Sequence, residues 1–291
     1  ETMCNNHKDH TVDQGRRQFL GHDAKAVAAV AALGAMALGG AGNAEAAGRN
    51  AAGKGAAPAN PYAEPSSYGM PRKGMKLDPE RVALVVIDPQ IDFLSPKGIA
   101  WGAVGESVEQ NNTVPNLLRL FKAAKGAGIP VVVSPHYYYP TDHQWEFGGP
   151  GEHFMHDSGM FARPGAYDMK GFEGSGADFM PEYKPYIFDG KTIIASPHKI
   201  FGPESNDVTL QLRKQKVDQI LLAGMAANLC VESHLREFIE QGFEVTVVKD
   251  ATAGPKLPEG DGYLAALVNY RLVANDLWTT DEVVRQLGQK V

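Results

Sequence analysis

The chain has 291 residues, 43% hydrophobic and 21% charged, a composition that excludes a fibre and leaves room for one large domain or two small ones. Its net charge of −6, with no long basic run beyond the N-terminus, excludes the electrostatic footprint of a nucleic-acid binder. A small molecule is the expected partner.

The first segment differs from the rest. Arg16 and Arg17 precede Phe19 and Leu20, a weakly apolar run follows from Ala26 to Gly42, and the small-residue site Ala44-Glu45-Ala46 closes it. This pattern resembles a twin-arginine export signal over residues 1–46, cleaved after Ala46. It implies a periplasmic or extracellular protein with no membrane segment after cleavage, because the run is too short and too rich in Gly and Ala to cross a bilayer about 30 Å thick. Removing it takes Cys4 and leaves Cys230 as the one thiol, so no internal disulfide can form. Residues 47–76 are rich in Ala, Gly, Asn and Pro without hydrophobic period and read as a linker and N-terminal arm.

From residue 77 to 291 the pattern is one folded domain. The run Val82 to Ile87 is continuous rather than alternating, as in a buried parallel strand. "VPNLLRLFKAAKGAG" has helical spacing and a glycine stop, and "IPVVVSPH" is a second buried strand. A long irregular insertion then runs from Tyr137 to about Asp189. "KTIIASPHKIFG" supplies a third strand, "SNDVTLQLRKQK" a helix capped by Ser205 or Asn206, and "VDQILLAGMA" a fourth strand. "NLCVESHLREFIEQG" is a helix, "FEVTVVKDATAG" a fifth strand, and two more helices follow with a short strand between them. Alternation of this kind predicts right-handed crossovers and a three-layer α/β/α domain around a mostly parallel sheet.

Ligands in such sheets sit beyond the carboxyl ends of the strands. Asp88 follows the first strand, Lys199 the third by a few residues, and Cys230 the fourth at a helix entrance. Singly each has a plain structural explanation: a turn cap, a solvated lysine, a small core residue. Together they offer a nucleophile whose pKa the helix dipole and a lysine cation would lower, and a carboxylate to shuttle its proton. Backbone N–H groups at the helix start would hold an oxyanion.

"ALVVIDPQIDF" and "GMAANLCVESHLREFIEQGFEVTVVKDATAG" resemble the isochorismatase-like cysteine hydrolases, a superfamily that includes nicotinamidases and N-carbamoylsarcosine amidase. The resemblance covers about Arg81 to Leu287. It implies Asp88, Lys199 and Cys230 as catalytic triad, a cis bond between Met225 and Ala226, and an oxyanion hole from the N–H groups of Ala226 and Cys230. It also implies a homo-oligomer. Gln90, Phe93, His136, Tyr138 and Trp145 are the expected lining of the substrate pocket.

Two departures narrow the reading. Nicotinamidases hold a divalent metal through an Asp-x-His pair after the second strand, where this chain has Ser134-Pro135-His136. With the carboxylate missing, no metal and no cofactor are expected; His143, His153 and His156 could join His136 in a zinc-type cluster, and otherwise line a polar pocket or lie on the long loop. Isochorismatases proper lack the cysteine, so Cys230 points to attack on an amide or ureide carbonyl. Two alternatives stay open: non-covalent hydrolysis led by Asp88, and a binding protein that kept the fold without turnover.

Overall fold

The computed structural model describes residues 60–289. The six-stranded sheet has the order β3-β2-β1-β4-β5-β8. Its strands are β1 (Val82–Ile87), β2 (Val131–Ser134), β3 (Ile193–Ile194), β4 (Gln219–Met225), β5 (Glu244–Ala253) and β8 (Asp276–Trp278). Every ladder in this sheet is parallel. The short strands β6 (Lys256–Leu257) and β7 (Gly260–Asp261) form a separate antiparallel pair.

The continuous apolar runs are explained by helices on both faces. Val82, Leu84 and Val86 of β1 enter one core cluster, while Ala83, Val85 and Ile87 enter the other, as the two-residue strand period requires. The first cluster packs against α2 (Trp101–Gln110), α3 (Thr113–Ala127) and α9 (Thr280–Gln286). The second packs against α6 (Val208–Lys214), α7 (Glu232–Glu240) and α8 (Gly262–Val273). This is the three-layer α/β fold expected from the sequence.

Local details differ from the sequence reading. The stretch after β1 holds the short helix α1 (Ile91–Leu94) and then α2, which has no strong start or stop signal. The insertion carries α4 (Pro150–Ser158) and α5 (Lys184–Ile187). The third strand has only two residues, and Asp207 occupies the cap position of α6 while Asn206 accepts a hydrogen bond from the Val208 N–H at 3.1 Å. The arm is tied down at its end: Glu64 pairs with Lys249 and Arg271, Arg72 with Asp276, and Met75 is buried in the core. The proposed signal and the start of the linker lie outside the described residues.

Among the described residues no helix is long and apolar enough to cross a membrane. One glycine decides how closely the central strands approach. Gly224 in β4 has φ +113, and a Cβ there would stand 2.0 Å from the Ile87 carbonyl oxygen of β1.

Candidate active site

The chain leaves β1 toward β2 and β3 on one side and returns through β4 to β5 and β8 on the other, so the strand order reverses between β1 and β4. Open α/β sheets bind ligands at this switch point, beyond the carboxyl ends of the strands. Four side chains meet there, one from each end of four adjacent strands. Asp88 follows β1, His136 follows β2, His198 follows β3, and Cys230 lies in the π-turn Ala227–Val231 after β4. All four are buried, and one ligand atom from each lies within 4.8 Å of those of the others. Asp88 has φ 47, a left-handed conformation uncommon for an aspartate, and the Met225–Ala226 peptide is cis.

Lys199 does not join this cluster, and the sheet register gives the reason. Val133 pairs with Ile194, so an uninterrupted ladder would place Pro197 beside His136 and bring Lys199, two residues on, to the same face. The observed bridge pairs His136 with His198 instead. One extra residue flips the alternation. His198 therefore turns inward, its Nε2 2.8 Å from Asp88 Oδ1. The Lys199 ammonium turns the other way, donating to the Tyr137 carbonyl at 2.9 Å and to Asp142 Oδ2 at 2.5 Å over the Tyr139 ring.

Hydrogen bonds fix the imidazoles. His136 Nε2 faces the Lys199 carbonyl at 3.1 Å and must carry the proton, which leaves Nδ1 as a bare lone pair. His234 Nδ1 donates to the Cys230 carbonyl at 2.7 Å, so its Nε2 accepts from the Ser134 hydroxyl at 2.9 Å, and that hydroxyl in turn accepts from Asn206 at 2.8 Å. This chain buttresses the turn that carries the thiol. Burial depresses His136, His198 and His234 to about 3, so all three are neutral.

Burial raises Asp88 to about 7, with the neighbouring His136, His234 and Cys230 working the other way. The Cys230 thiol is pushed well above its ordinary value, first by burial and then by the Asp88 charge, against the neighbouring backbone N–H groups of Ala226 and Cys230. The lowered thiol pKa expected from the sequence is thus reversed. The cation meant to stabilise the thiolate is engaged with Asp142, and desolvation outweighs two backbone donors.

The remaining expected pocket residues form layers. Gln90 is fully buried, donating from its amide nitrogen to the carbonyls of His136 and Ala177 and accepting from the His136 N–H, so it clamps the backbone rather than facing a ligand. Phe93 lies one layer back, edge-on to Phe161, which stacks on His136. Tyr138 is fully buried against His136 and His156, and Trp145 stands outside it, 41% exposed. The insertion thus roofs the cluster, held by Asp92, whose carboxylate accepts the Phe161 N–H at 2.8 Å. His198 and His234 were missed from sequence. A signal for the first was present: the second and third strands both end in Ser-Pro-His.

Residues 82–282 match the family model described as the isochorismatase domain. The ureidoacrylate amidohydrolase RutB of Pseudomonas savastanoi pv. phaseolicola is 30% identical over 190 residues, which are 62% of this chain and 75% of that protein. RutB of Methylobacterium radiotolerans is 30% identical over 186 residues, 62% of this chain and 70% of that protein. Among solved structures, a cysteine hydrolase from Pseudomonas syringae pv. phaseolicola superposes with a TM-score of 0.63 at 20% identity, covering 76% of this chain and 99% of that one. An isochorismatase family protein from Desulfovibrio vulgaris gives 0.54 at 20% identity, covering 69% and 95%.

Proposed function

Because the chain belongs to the isochorismatase family, we propose that it cleaves the C–N bond of a small amide- or ureide-type substrate through a thioester on Cys230. The observation that carries this reading is the buried Cys230 thiol facing the buried Asp88 carboxylate at the strand switch point, their ligand atoms within 4.8 Å, at the start of the turn that offers the N–H groups of Ala226 and Cys230. The ureidoacrylate amidohydrolases similar to this chain support a ureide or related amide as substrate class.

In this mechanism the Cys230 sulfur attacks the carbonyl carbon as its proton passes to Asp88. The carbonyl oxygen gains negative charge between the two N–H groups, which are fixed by backbone and need no reorganisation. Asp88 returns the proton to the leaving nitrogen, and water, deprotonated by the same carboxylate, opens the thioester. His198 takes the place beside Asp88 expected for Lys199. As a neutral donor it orients the carboxylate without supplying charge, so Asp88 carries the whole proton transfer. Substrate entry requires the Tyr138–Phe161 roof to move.

The test is turnover of a panel of N-carbamoyl compounds and simple amides by wild type and Cys230→Ala, with mass spectrometry of the quenched enzyme. An acyl adduct on Cys230 and its loss with turnover in the variant are expected. Hydrolysis by Cys230→Ala would end the covalent reading in favour of one led by Asp88. The reading extends to export through residues 1–46 and to a homo-oligomer, which signal-fusion secretion and solution mass measurements test.

A further inference from the structure

We propose that Asp88, His136, His198 and Cys230 form a binding site for one divalent transition-metal ion of the zinc class. The site goes beyond hydrolysis and rests on the four side chains alone, while its effect on turnover rests on the hydrolase reading. Their ligand atoms lie within 4.8 Å of one another. Tetrahedral zinc, with Zn–N about 2.0 Å and Zn–S about 2.3 Å, spaces its ligands roughly 3.3–3.8 Å apart, so a contraction of about 1 Å closes the site.

Unsatisfied atoms argue for a ligand. Asp88 Oδ2 and His136 Nδ1 are buried without a hydrogen-bond partner, although buried polar atoms are seldom left so, and His198 presents Nε2 to Asp88, with an unpartnered Nδ1 free to take the ring proton when Nε2 binds a metal. His136 also donates its other ring N–H to the Lys199 carbonyl, the outer contact that orients a metal-bound imidazole. Charge completes the argument. One thiolate, one carboxylate and two neutral imidazoles balance a doubly charged ion, so the loaded site carries no net charge into a buried place. Thiolate with imidazole favours zinc-class ions, while a single carboxylate is a poor set for calcium or magnesium.

This set differs from the Asp-x-His arrangement of nicotinamidases, whose carboxylate position is Ser134 here and is engaged with His234 and Asn206. Binding converts the thiol to a metal-bound thiolate and releases its proton to solvent. The loaded protein then has no free nucleophile, so the ion holds the covalent hydrolase off and its removal switches it on.

The experiment uses the full chain in a Cys4→Ser background, stripped with chelator and titrated with cobalt(II), then zinc. Expected are one cobalt per chain, a near-ultraviolet thiolate-to-cobalt charge-transfer absorption, its displacement by zinc, and at least tenfold protection of Cys230 from iodoacetamide by zinc. Cys230→Ser should abolish the absorption, His136→Ala and His198→Ala should weaken binding at least tenfold, and His143→Ala should leave it unchanged, with circular dichroism checking the fold. Absence of the charge-transfer absorption and of zinc protection in the folded parent protein overturns the site. Binding undiminished in Cys230→Ser and His198→Ala also overturns it and moves the metal to the exposed histidines. These readouts need no turnover, so they stand or fall apart from the hydrolase reading.

Discussion

Exchange of the expected roles of Lys199 and His198 is open to a direct test. In His198→Ala, Asp88 Oδ1 loses its donor at 2.8 Å inside a fully buried site. A hydrogen bond to a charged group is worth about 1.5–3 kcal/mol. If that orientation is needed in the transition state, kcat/KM falls about 10- to 150-fold, at a factor of ten per 1.36 kcal/mol. In Lys199→Ala the side chain lost contacts Asp142, the Tyr137 carbonyl and the Tyr139 ring. The backbone carbonyl that accepts from His136 remains. Stability should fall by about 1 kcal/mol, as for a partly exposed ion pair, with kcat/KM within about threefold on the logic of contact loss. The assay is steady-state kinetics on the amide or ureide that wild type hydrolyses, alongside urea unfolding of each variant. A larger kinetic loss in Lys199→Ala than in His198→Ala would refute the register argument and restore the lysine to the site.

Other perturbations probe the scaffold. Gln90→Leu leaves an N–H and two carbonyls of the buried backbone unpaired, so urea unfolding should show a loss of about 3 kcal/mol or more; a loss below about 1 kcal/mol would show that the clamp relaxes freely. Gly224→Ala drives a methyl into the Ile87 carbonyl and should leave little soluble protein, with normal yield and thermal midpoint refuting the close approach. Tyr138→Ala opens the roof and should raise Cys230 alkylation about tenfold, equivalent to about 1.4 kcal/mol less opening free energy; an unchanged rate would place the entry elsewhere. Burial raises the Glu64 carboxyl, but Lys249, Tyr68 and Arg271 overcome it and hold it at about 2, below 4.5. Its folded pKa is depressed, so its stabilisation is present above pH 4.5 and lost as pH falls toward 2. Glu64→Gln should flatten acid unfolding in that window, and an unaltered acid limb would mean the pairing adds nothing.

The strands were legible because burial on both faces writes an unbroken apolar run, as in Val82–Ile87, and that run also located Asp88 and the turn of Cys230. Helix α2 was not legible: Trp101–Gln110 has an alanine at its cap and no glycine or proline stop, and it is helical because Val104 and Val108 pack into the core. The cysteine and aspartate of the site were readable since each directly follows a long strand. The third member was not. β3 has only two residues, too few for a periodicity, and the one-residue shift behind it decides whether a histidine or a lysine turns inward. That choice is made by pairing across strands and leaves no mark within nine or ten residues of sequence except the repeated Ser-Pro-His.

The substitution of a neutral imidazole for a cation changes what the rest of the site must do. A lysine beside the thiol would stabilise a resting thiolate. Two neutral histidines cannot, and burial keeps the proton on sulfur until a base takes it. The base is Asp88, held in a left-handed backbone conformation that costs on the order of 1–3 kcal/mol and with one carboxylate oxygen left unpartnered. A strained backbone, an orphan oxygen and two bare imidazole lone pairs within one cluster all lower the stability of the folded protein. What offsets them is whatever the cluster binds. The N–H groups of an amide or ureide, or a metal ion, would each satisfy acceptors of this kind, and both occupants need the Cys230 sulfur, so occupancy by one excludes the other.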